Sequence, residues 1–471
     1  MIGRSQSLGG SHCGRLRASL AGFVAAVVGV CCPGQLPEGG WAITTSSQYL
    51  QYHDSGFAPV DLAAVSAGSH WDGLAVDDRG VVYNLEGYTG LVRVLYDALA
   101  SSYRLIPEWP GALYPGTNGS GSSFPSNHGG GHIAVTREWV WVADQDGRLF
   151  RVERAVNNRV FTLVGNVQVA TGAPGVIVSV CSDGRELFCA VLTPAMVSEI
   201  WAVDLRRQPL AVRRVATIPS NSAYQTSLAL GADGNLLAMG LDALYSVNVR
   251  SGQAAMVDSC PPSSLFAPLS GWPAQEFQIR VAYDPWSDVV AIAPSWLATL
   301  FVVYSRHLQG TAPFSSAYGS AFLGGLRKIV CASEQPFELY GVGCLTGLGA
   351  EPRMGWRGVP RQGQAFSLTL RDAEPNGLAA FWLGTSDSFW PGVGSMPWDA
   401  ASLGAPGCAA YASGDFSLFT LVDTSGNASV NLAVPVNAAL HGFRVFAQSV
   451  STSGANYLGF ATSDAVAVRL R

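Results

Sequence analysis

Five segments of the sequence share one pattern of apolar residues and turn residues. Each begins with a short alternating strand, passes through a turn rich in Asp, Gly or Asn, and continues into further apolar strands. The segments recur roughly every 50 residues, about the length of one four-stranded sheet. They begin at Gly73, His132, Val176, Ser227 and Arg280. Period-two alternation between turns predicts antiparallel hairpins, and no long amphipathic helical pattern interrupts them.

Repeated small sheets must cover two apolar faces each, and neighbouring sheets in a ring cover them for one another. The pattern therefore predicts an all-β fold, a β-propeller with six blades favoured and five or seven left open. The sixth blade is expected from segments at 60–67 and 326–332, so that both ends of the repeat region close the ring. Long loops on such a ring are where function is expected.

The repeat units LALGADGNLLAMG and LAVDDRGVVYNLEG resemble those of the NHL, YVTN and SMP-30-like class of propellers. The resemblance covers roughly residues 45 to 335. It implies a fold and no particular activity.

The repeat pattern stops near residues 333–340, and short strands between Gly, Pro, Asn and Asp turns follow. About seven such strands predict a β-sandwich. The expected division is a leader at 1–42, a propeller at 43–335 and a C-terminal sandwich at 336–471. The phrases YGVGC, LGAPGC and SGANYLGFATSDAVAV resemble an uncharacterised C-terminal module of secreted bacterial repeat proteins. That resemblance implies a role in attachment, sorting or carbohydrate contact.

The N-terminus has the pattern of a secretory signal peptide. Arg4, Arg15 and Arg17 precede the apolar run 20–32, which is shorter than a permanent membrane-spanning helix requires. A retained N-terminal anchor is the alternative, and cleavage after Cys32 or near Ala42 is left open. No second apolar run is long enough to span, so we expect a mature chain without a transmembrane segment, secreted, periplasmic or at the cell surface.

Bulk composition excludes some functions. A hydrophobic fraction of 48% over 471 residues is enough for a large core, while the net charge of −5 and the lack of a Lys/Arg run argue against nucleic acid as a partner. Serine-hydrolase and phosphate-loop motifs are absent from the sequence.

Six cysteines remain after the leader, an even number that permits disulfides in an oxidising compartment. Cys181 and Cys189 flank a turn and are predicted to face each other across a hairpin, whereas Cys344 and Cys408 share the C-terminal module. Cys260 and Cys331 are the remaining candidates. A purely structural or buried role is the alternative for all six.

Three histidines precede the first strands of two neighbouring repeats: His70, His128 and His132. Because these segments enter the ring at one face, the imidazoles are candidates for binding a divalent metal or for acid–base catalysis. Trp71 and Asp72, beside His70, are candidate ligand-binding residues at the same place. The alternative is that the neighbouring glycines allow tight turns and the histidines bond loop backbone.

Aromatic residues in Gly/Pro/Ser-rich loops are the second lead. Phe389, Trp390 and Trp398 lie in SFWPGVGSMPWD, where flat rings could stack on a sugar or a protein partner, and core filling is the alternative.

The leading hypothesis is an exported, non-enzymatic propeller scaffold that binds a protein or carbohydrate partner. The alternative is a metal-dependent lyase or hydrolase of the SMP-30-like or streptogramin-lyase-like type.

Overall fold

The structure is a computed structural model in which almost every regular element is a β-strand. It describes residues 41–45, 49–53, 59–64, 71–77, 81–86, 90–97, 102–107, 132–144, 147–154, 161–172, 175–218, 226–240, 243–259, 279–286, 288–294, 302–305, 326–331 and 335–471. Residues 1–40 of the predicted leader, His70, His128 and Cys260 lie outside these residues, whereas Trp41 and Ala42, which the predicted leader also included, begin the first strand.

Six small antiparallel sheets are formed by the described residues between 41 and 331. The first joins β1 (Trp41–Thr45), β2 (Tyr49–His53) and β3 (Pro59–Ala64) to β23 (Leu326–Cys331). The second contains β4 (Trp71–Val76), β5 (Val82–Glu86), β6 (Gly90–Asp97) and β7 (Ser102–Pro107). The third contains β8 (His132–Val135), β9 (Trp139–Ala143), β10 (Arg148–Glu153) and β11 (Thr162–Asn166).

The remaining three sheets repeat this plan. The fourth contains β12 (Val176–Ser182), β13 (Glu186–Leu192), β14 (Ser198–Asp204) and β15 (Ala211–Ile218). The fifth contains β16 (Ser227–Leu230), β17 (Leu236–Met239), β18 (Ala243–Val247) and β19 (Ala254–Ser259). The sixth contains β20 (Ile279–Asp284), β21 (Val289–Pro294) and β22 (Val302–Ser305). A short helix α1 (Val167–Thr171) follows β11.

One strand of each sheet faces a common axis. Strands β4, β8, β12, β16, β20 and β23 each contact the next, and β23 returns to β4, so the contacts form a closed ring. This arrangement is a β-propeller, as the repeats predicted. The first sheet closes it with strands from both ends of the repeat region, because Ala42 pairs with Val330 and Ile43 with Ile329.

Apolar packing between neighbouring blades explains why some strands are hydrophobic without alternation. In β13, Phe188 and Ala190 pack with the fifth sheet, whereas Leu187, Cys189 and Val191 pack with the third. Both faces of this strand are buried, so a continuous apolar run satisfies both. The ring therefore makes one core from the faces of adjacent blades.

Two further sheets follow the propeller. A five-stranded sheet, in the order β24-β35-β34-β27-β32, contains β24 (Phe337–Tyr340), β27 (Leu378–Gly384), β32 (Phe416–Leu421), β34 (Arg444–Thr452) and β35 (Phe460–Arg469). A three-stranded sheet contains β25 (Arg353–Arg357), β26 (Ala365–Arg371) and β33 (Ala428–Ala433). Small hairpins are formed by β28 (Phe389–Trp390) with β29 (Gly394–Ser395), and by β30 (Trp398–Asp399) with β31 (Ala409–Ala410).

The five-stranded and three-stranded sheets share one apolar core, which includes Phe337, Trp356, Leu368, Phe381 and Val466. Phe337 stacks on Trp356 with ring centroids 4.6 Å apart. We call this unit the two-sheet module. Short 3-10 helices occur at Ala400–Leu403 and Ala438–Leu440. No helix in the described ranges is long and apolar enough to cross a membrane.

Candidate functional site

The axis of the propeller contains a cavity of about 180 Å³. Its walls are the inner strands β4, β8, β12, β16 and β20. The polar side chains among the lining residues include His132, Ser179, Ser227, Arg280 and Gln335. Both His132 and Arg280 are buried. The functional groups that this cavity offers for chemistry therefore include an imidazole and a guanidinium.

The serines of the cavity connect neighbouring blades. The backbone N–H of Leu228 donates to Ser179 Oγ at 3.1 Å, and that of Val281 donates to Ser227 Oγ at 3.1 Å. Arg280 Nη1 approaches the carbonyl oxygen of Val178 at 3.5 Å. Each bond links one inner strand to another, which gives these side chains a structural role in holding the ring.

Only part of the predicted histidine site lies within the described residues. His132 is the first residue of β8 and lines the cavity, while Trp71 and Asp72 begin the neighbouring strand β4. His70 and His128 lie outside the described residues. Within the described residues, no group of three His, Cys, Asp or Glu side chains has the arrangement of a metal site. A metal held by all three histidines stays a prediction.

Acidic turns in the propeller have a structural role. Asp77 accepts from the backbone N–H of Val81 at 2.9 Å and forms an ion pair with Arg154 of the next blade. Asp144 similarly accepts from the N–H of Arg148 at 2.7 Å. These carboxylates cap hairpin turns, as Asp-Gly turns commonly do.

The predicted aromatic residues separate into two environments. Trp390 lies edge-on against Trp382, with ring centroids 5.2 Å apart, and its neighbour Phe389 is 55% exposed. Trp398 instead packs against the cluster around Cys344 and Cys408. Trp390 therefore extends the outer surface beside Trp382, the adjoining Phe389 is exposed, and Trp398 fills a small local core.

That surface continues across two strands of the five-stranded sheet. Ala379 and Phe381 point into the core, so Leu378 and Trp382 point outward, and on β32 the outward positions are Phe419 and Leu421. Leu378, Phe419 and Leu421 are 45%, 68% and 74% exposed. We call Leu378, Trp382, Phe389, Trp390, Phe419 and Leu421 the aromatic face. Sequence reasoning found Phe389 and Trp390 but missed Phe419, whose exposure depends on strand pairing.

Among the six candidate cysteines, the described residues include one disulfide and two free thiols. Cys344 and Cys408 form a disulfide. Cys181 and Cys189 are both free, because Val180, not Cys181, lies opposite Cys189 in the hairpin. This offset of one residue sends the two thiols to opposite faces of the sheet, where they join different apolar clusters. Cys331 lies in β23, and nothing in the described residues tests its pairing or that of Cys260.

A charged cluster joins the propeller to the two-sheet module, and sequence reasoning missed it. Arg185, from the turn before β13, forms ion pairs with Asp464 and, at 3.1 Å, with Glu351. Arg206 donates to Glu351 at 2.7 Å and to Asp204 at 2.9 Å. The side chains of Arg185, Glu351 and Asp464 are buried. We call these five residues the interface network.

Opposing effects set the protonation of the two module carboxyl groups. Burial raises the pKa of Asp464 despite the nearby charge of Arg185. Burial also acts to raise the pKa of Glu351, but its hydrogen bond to Arg206 and the charges of Arg185 and Arg206 outweigh this, so the net pKa is lowered. The surroundings thus favour the charged form of Glu351 and disfavour the charged form of Asp464.

A tight backbone contact lies beside the network. The backbone N–H of Leu339 in β24 donates to the carbonyl oxygen of Asp183 at 3.1 Å. Gly184 has a φ of +99°, and a Cβ at this position would overlap the carbonyl oxygen of Leu339. Glycine is needed there for both reasons. A backbone hydrogen bond therefore joins the propeller to the two-sheet module, in addition to the ion pairs of the interface network.

Comparison with known proteins gives distant structural likenesses. No family model matches the sequence, and no curated protein matches it. A protein of unknown function from Bacteroides thetaiotaomicron is 13% identical, with a TM-score of 0.38 over 64% of this chain and 79% of that one. Virginiamycin B lyase from Staphylococcus aureus is 10% identical, with a TM-score of 0.34 over 53% and 71%.

A chain of the mitotic checkpoint complex is 13% identical, with a TM-score of 0.34 over 58% of this chain and 78% of that one. The closed ring of inner strands, observed in the chain itself, defines the class: this is a β-propeller protein. Its particular form is a propeller with a two-sheet module held against one blade by the interface network.

Proposed function

We propose that the protein is an exported, non-enzymatic propeller scaffold that binds a protein or carbohydrate partner through the aromatic face. The observation that carries the proposal is the exposure of Phe419 and Leu421 on β32 beside Leu378 of β27, together with the exposed Phe389 next to Trp390. Contiguous exposed apolar side chains are commonly interaction sites in folded proteins. The propeller then serves to hold this face in a fixed position.

The disulfide supports export. Cys344–Cys408 is the kind of bond that persists in oxidising compartments and is rare in reducing ones. The basic residues and apolar run at the N-terminus support the same proposal. Fractionation of producing cells tests it: recovery from the medium, periplasm or cell surface agrees, and recovery from the cytoplasm contradicts it.

The interface network agrees with the proposal that the propeller holds the aromatic face in a fixed position. Ion pairs and the Leu339–Asp183 hydrogen bond connect the two-sheet module to the fourth blade. A surface held in this way loses little conformational freedom when a partner binds, which favours affinity.

Binding of the labelled, full-length chain to intact producing cells tests the proposed function. We expect wild-type protein to bind and the variant Phe389→Ala/Phe419→Ala to lose most of that binding. Protease treatment of the cells removes a protein partner, whereas periodate oxidation removes a carbohydrate partner.

A matched control comes from the propeller, where Met256 and Val169 are exposed apolar residues far from the aromatic face in sequence. Met256→Ser/Val169→Ser removes a comparable exposed apolar area and is expected to bind as the wild type does. Equal binding by the aromatic-face variant, or no binding of the wild type, contradicts the proposal.

The alternative function is a metal-dependent lyase or hydrolase acting on the propeller axis. The position of His132 in the central cavity, together with Arg280, is the observation that favours it. Metal analysis of the purified full chain separates the two functions. A stoichiometric transition metal that is lost in His132→Ala supports the enzyme, and a metal-free protein that binds cells supports the scaffold.

A further inference from the structure

A second, larger cavity lies between the propeller and the two-sheet module. Its volume is about 880 Å³, within the range of sites that hold small organic ligands. The propeller contributes turns of the fourth and fifth blades, including Asp233–Asn235 and Asn248–Arg250. The module contributes residues of all three strands of its smaller sheet. We call this cavity the interdomain cleft.

The floor of the interdomain cleft is the outer face of the three-stranded sheet. Met354, Trp356, Leu368 and Leu370 point into the core, which places the alternate residues on the outer face. The outer residues that line the cleft are Gly355, Arg357, Thr369, Arg371 and Ser429. Gly355 lies opposite Thr369, and a Cβ on Gly355 would be 2.8 Å from Thr369 Oγ1. A glycine here keeps the middle of the floor open.

The acidic residues of the cleft are engaged within their own turns. Asp183 Oδ1 accepts from the N–H of Arg185 at 2.9 Å, and Asp423 Oδ1 accepts from that of Ser425 at 2.8 Å. Asp233 accepts from the backbone and side-chain amides of Asn235. These hydrogen bonds hold the turns in shape, and each aspartate remains a hydrogen-bond acceptor at the side of the cleft.

Two arginines on the floor differ from the aspartates. Among the described residues, Arg357 and Arg371 have no ion-pair partner, and Arg371 Nε is buried without a hydrogen-bond acceptor. The third arginine, Arg250, reaches across the cleft to Asn427 at 3.0 Å. Arg357 and Arg371 are thus the cations of the described lining that no carboxylate pairs with, and they flank Thr369 on the floor.

We propose that the interdomain cleft binds an acidic saccharide, with Arg357 and Arg371 holding carboxylate groups of the sugar. Guanidinium groups pair with carboxylates through two parallel hydrogen bonds. The amides of Asn235 and Asn248 and the hydroxyls of Thr369 and Ser429 can bond sugar hydroxyls, since each can donate and accept. Leu421 borders both the cleft and the aromatic face, but none of the groups proposed to hold the saccharide belongs to the aromatic face.

The lining favours a saccharide over a nucleotide. Among the described residues of the lining, Trp356 is the one aromatic residue, and it is buried and stacked on Phe337. No free ring face is left for a nucleobase to stack on, whereas hydroxyl, amide and guanidinium groups occupy most of the polar wall. A polyhydroxylated anion fits this set of groups.

Calorimetric titration of the full chain at low ionic strength tests the proposal. The probes are tetragalacturonate, which carries a carboxylate on every sugar, neutral maltotetraose, and sodium sulfate as a simple anion. We expect binding of tetragalacturonate alone, weakened by added salt because the contacts are charged. Arg371→Gln and Arg357→Gln are each expected to weaken it about ten- to hundredfold.

The matched control is Arg214→Gln, which makes the same change at an exposed arginine outside the cleft, paired with Glu199 at 3.3 Å. It is expected to bind tetragalacturonate as the wild type does. Phe389→Ala/Phe419→Ala should also retain saccharide binding, which separates this proposal from the proposed function. Absence of tetragalacturonate binding, equal binding of maltotetraose or sulfate, or unchanged binding in both cleft variants overturns it.

Discussion

Asp183 is a turn residue at the contact between the propeller and the two-sheet module. Desolvation and the nearby charge of Glu186 raise its pKa from 3.8 to about 6, although backbone N–H groups of Glu186 and Arg185 act against this. A sequence predicts the turn from Ser-Asp-Gly-Arg, but the module that desolvates the carboxyl group comes from far along the chain. Residue types were thus predictable here, and their environment was not.

We expect Asp183→Asn to stabilise the protein at neutral pH. The folded state binds a proton at Asp183 more tightly than the unfolded state does, so wild-type stability falls as pH rises from about 4 to about 6. Asn keeps the acceptor oxygen and carries no charge. The gain of the variant should therefore grow from about 0.5 kcal/mol at pH 4 to about 3 kcal/mol at pH 7, measured by urea unfolding.

Asp423→Asn is the contrasting control. Hydrogen bonds from the backbone N–H of Asn427 and of Ser425 lower the pKa of Asp423 despite some desolvation. Its folded carboxylate is favoured, so its contribution is lost as pH falls, the opposite direction. A pH-independent gain for Asp183→Asn would contradict the assigned cause.

Individual strands illustrate which features a pattern encodes and which it does not. The apolar run of β13 and the alternation of β26 predicted strands, and the structure shows β13 buried on both faces and β26 on one. The pattern did not fix register, since Cys181 lies opposite Phe188 and not opposite Cys189. Register depends on where the turn begins, and one residue reverses every side chain.

We expect Gly184→Ala to destabilise the protein much more than Gly172→Ala. Both glycines have positive φ, but a Cβ at Gly172 meets nothing within 4 Å, whereas one at Gly184 overlaps Leu339 of β24. The conformational cost alone is about 1 kcal/mol, so urea unfolding of Gly172→Ala measures that cost. Equal losses in the two variants would show that the contact with β24 contributes nothing.

We expect loss of the disulfide to lower stability by about 2–4 kcal/mol in the variant Cys344→Ser/Cys408→Ser. The bond joins residues 64 positions apart and restricts the unfolded chain accordingly. Dithiothreitol should destabilise the wild type by a similar amount and leave the variant unchanged. A comparable effect of the reductant on the variant would assign the loss to another bond.

At the scale of the molecule, the repeats predicted the ring but not how the module attaches to it. Ring closure follows from local units that each need a neighbour on both faces. The interface network instead joins Arg185 to Asp464, which are 279 positions apart, and no local pattern marks such a pair. The interdomain cleft and the two arginines of its floor were missed for the same reason.

We expect Arg185→Met to cost about 3–5 kcal/mol, because it leaves the buried carboxyls of Asp464 and Glu351 without this partner. The double variant Arg185→Met/Asp464→Leu should be less destabilised than the sum of the single variants. Urea unfolding of all four proteins completes the cycle. Strictly additive losses would mean that the two residues do not act as a pair.

The pairing of β1 with β23 has a consequence for biosynthesis. During translation, strands β1, β2 and β3 of the first sheet are synthesised early. The strand that completes this sheet on the axis, β23, is synthesised only with residues 326–331. Until then the nascent polypeptide carries an unfinished edge capable of annealing to a strand of another molecule. Successful production should therefore depend on something that shields that edge, such as a chaperone engaged during translation.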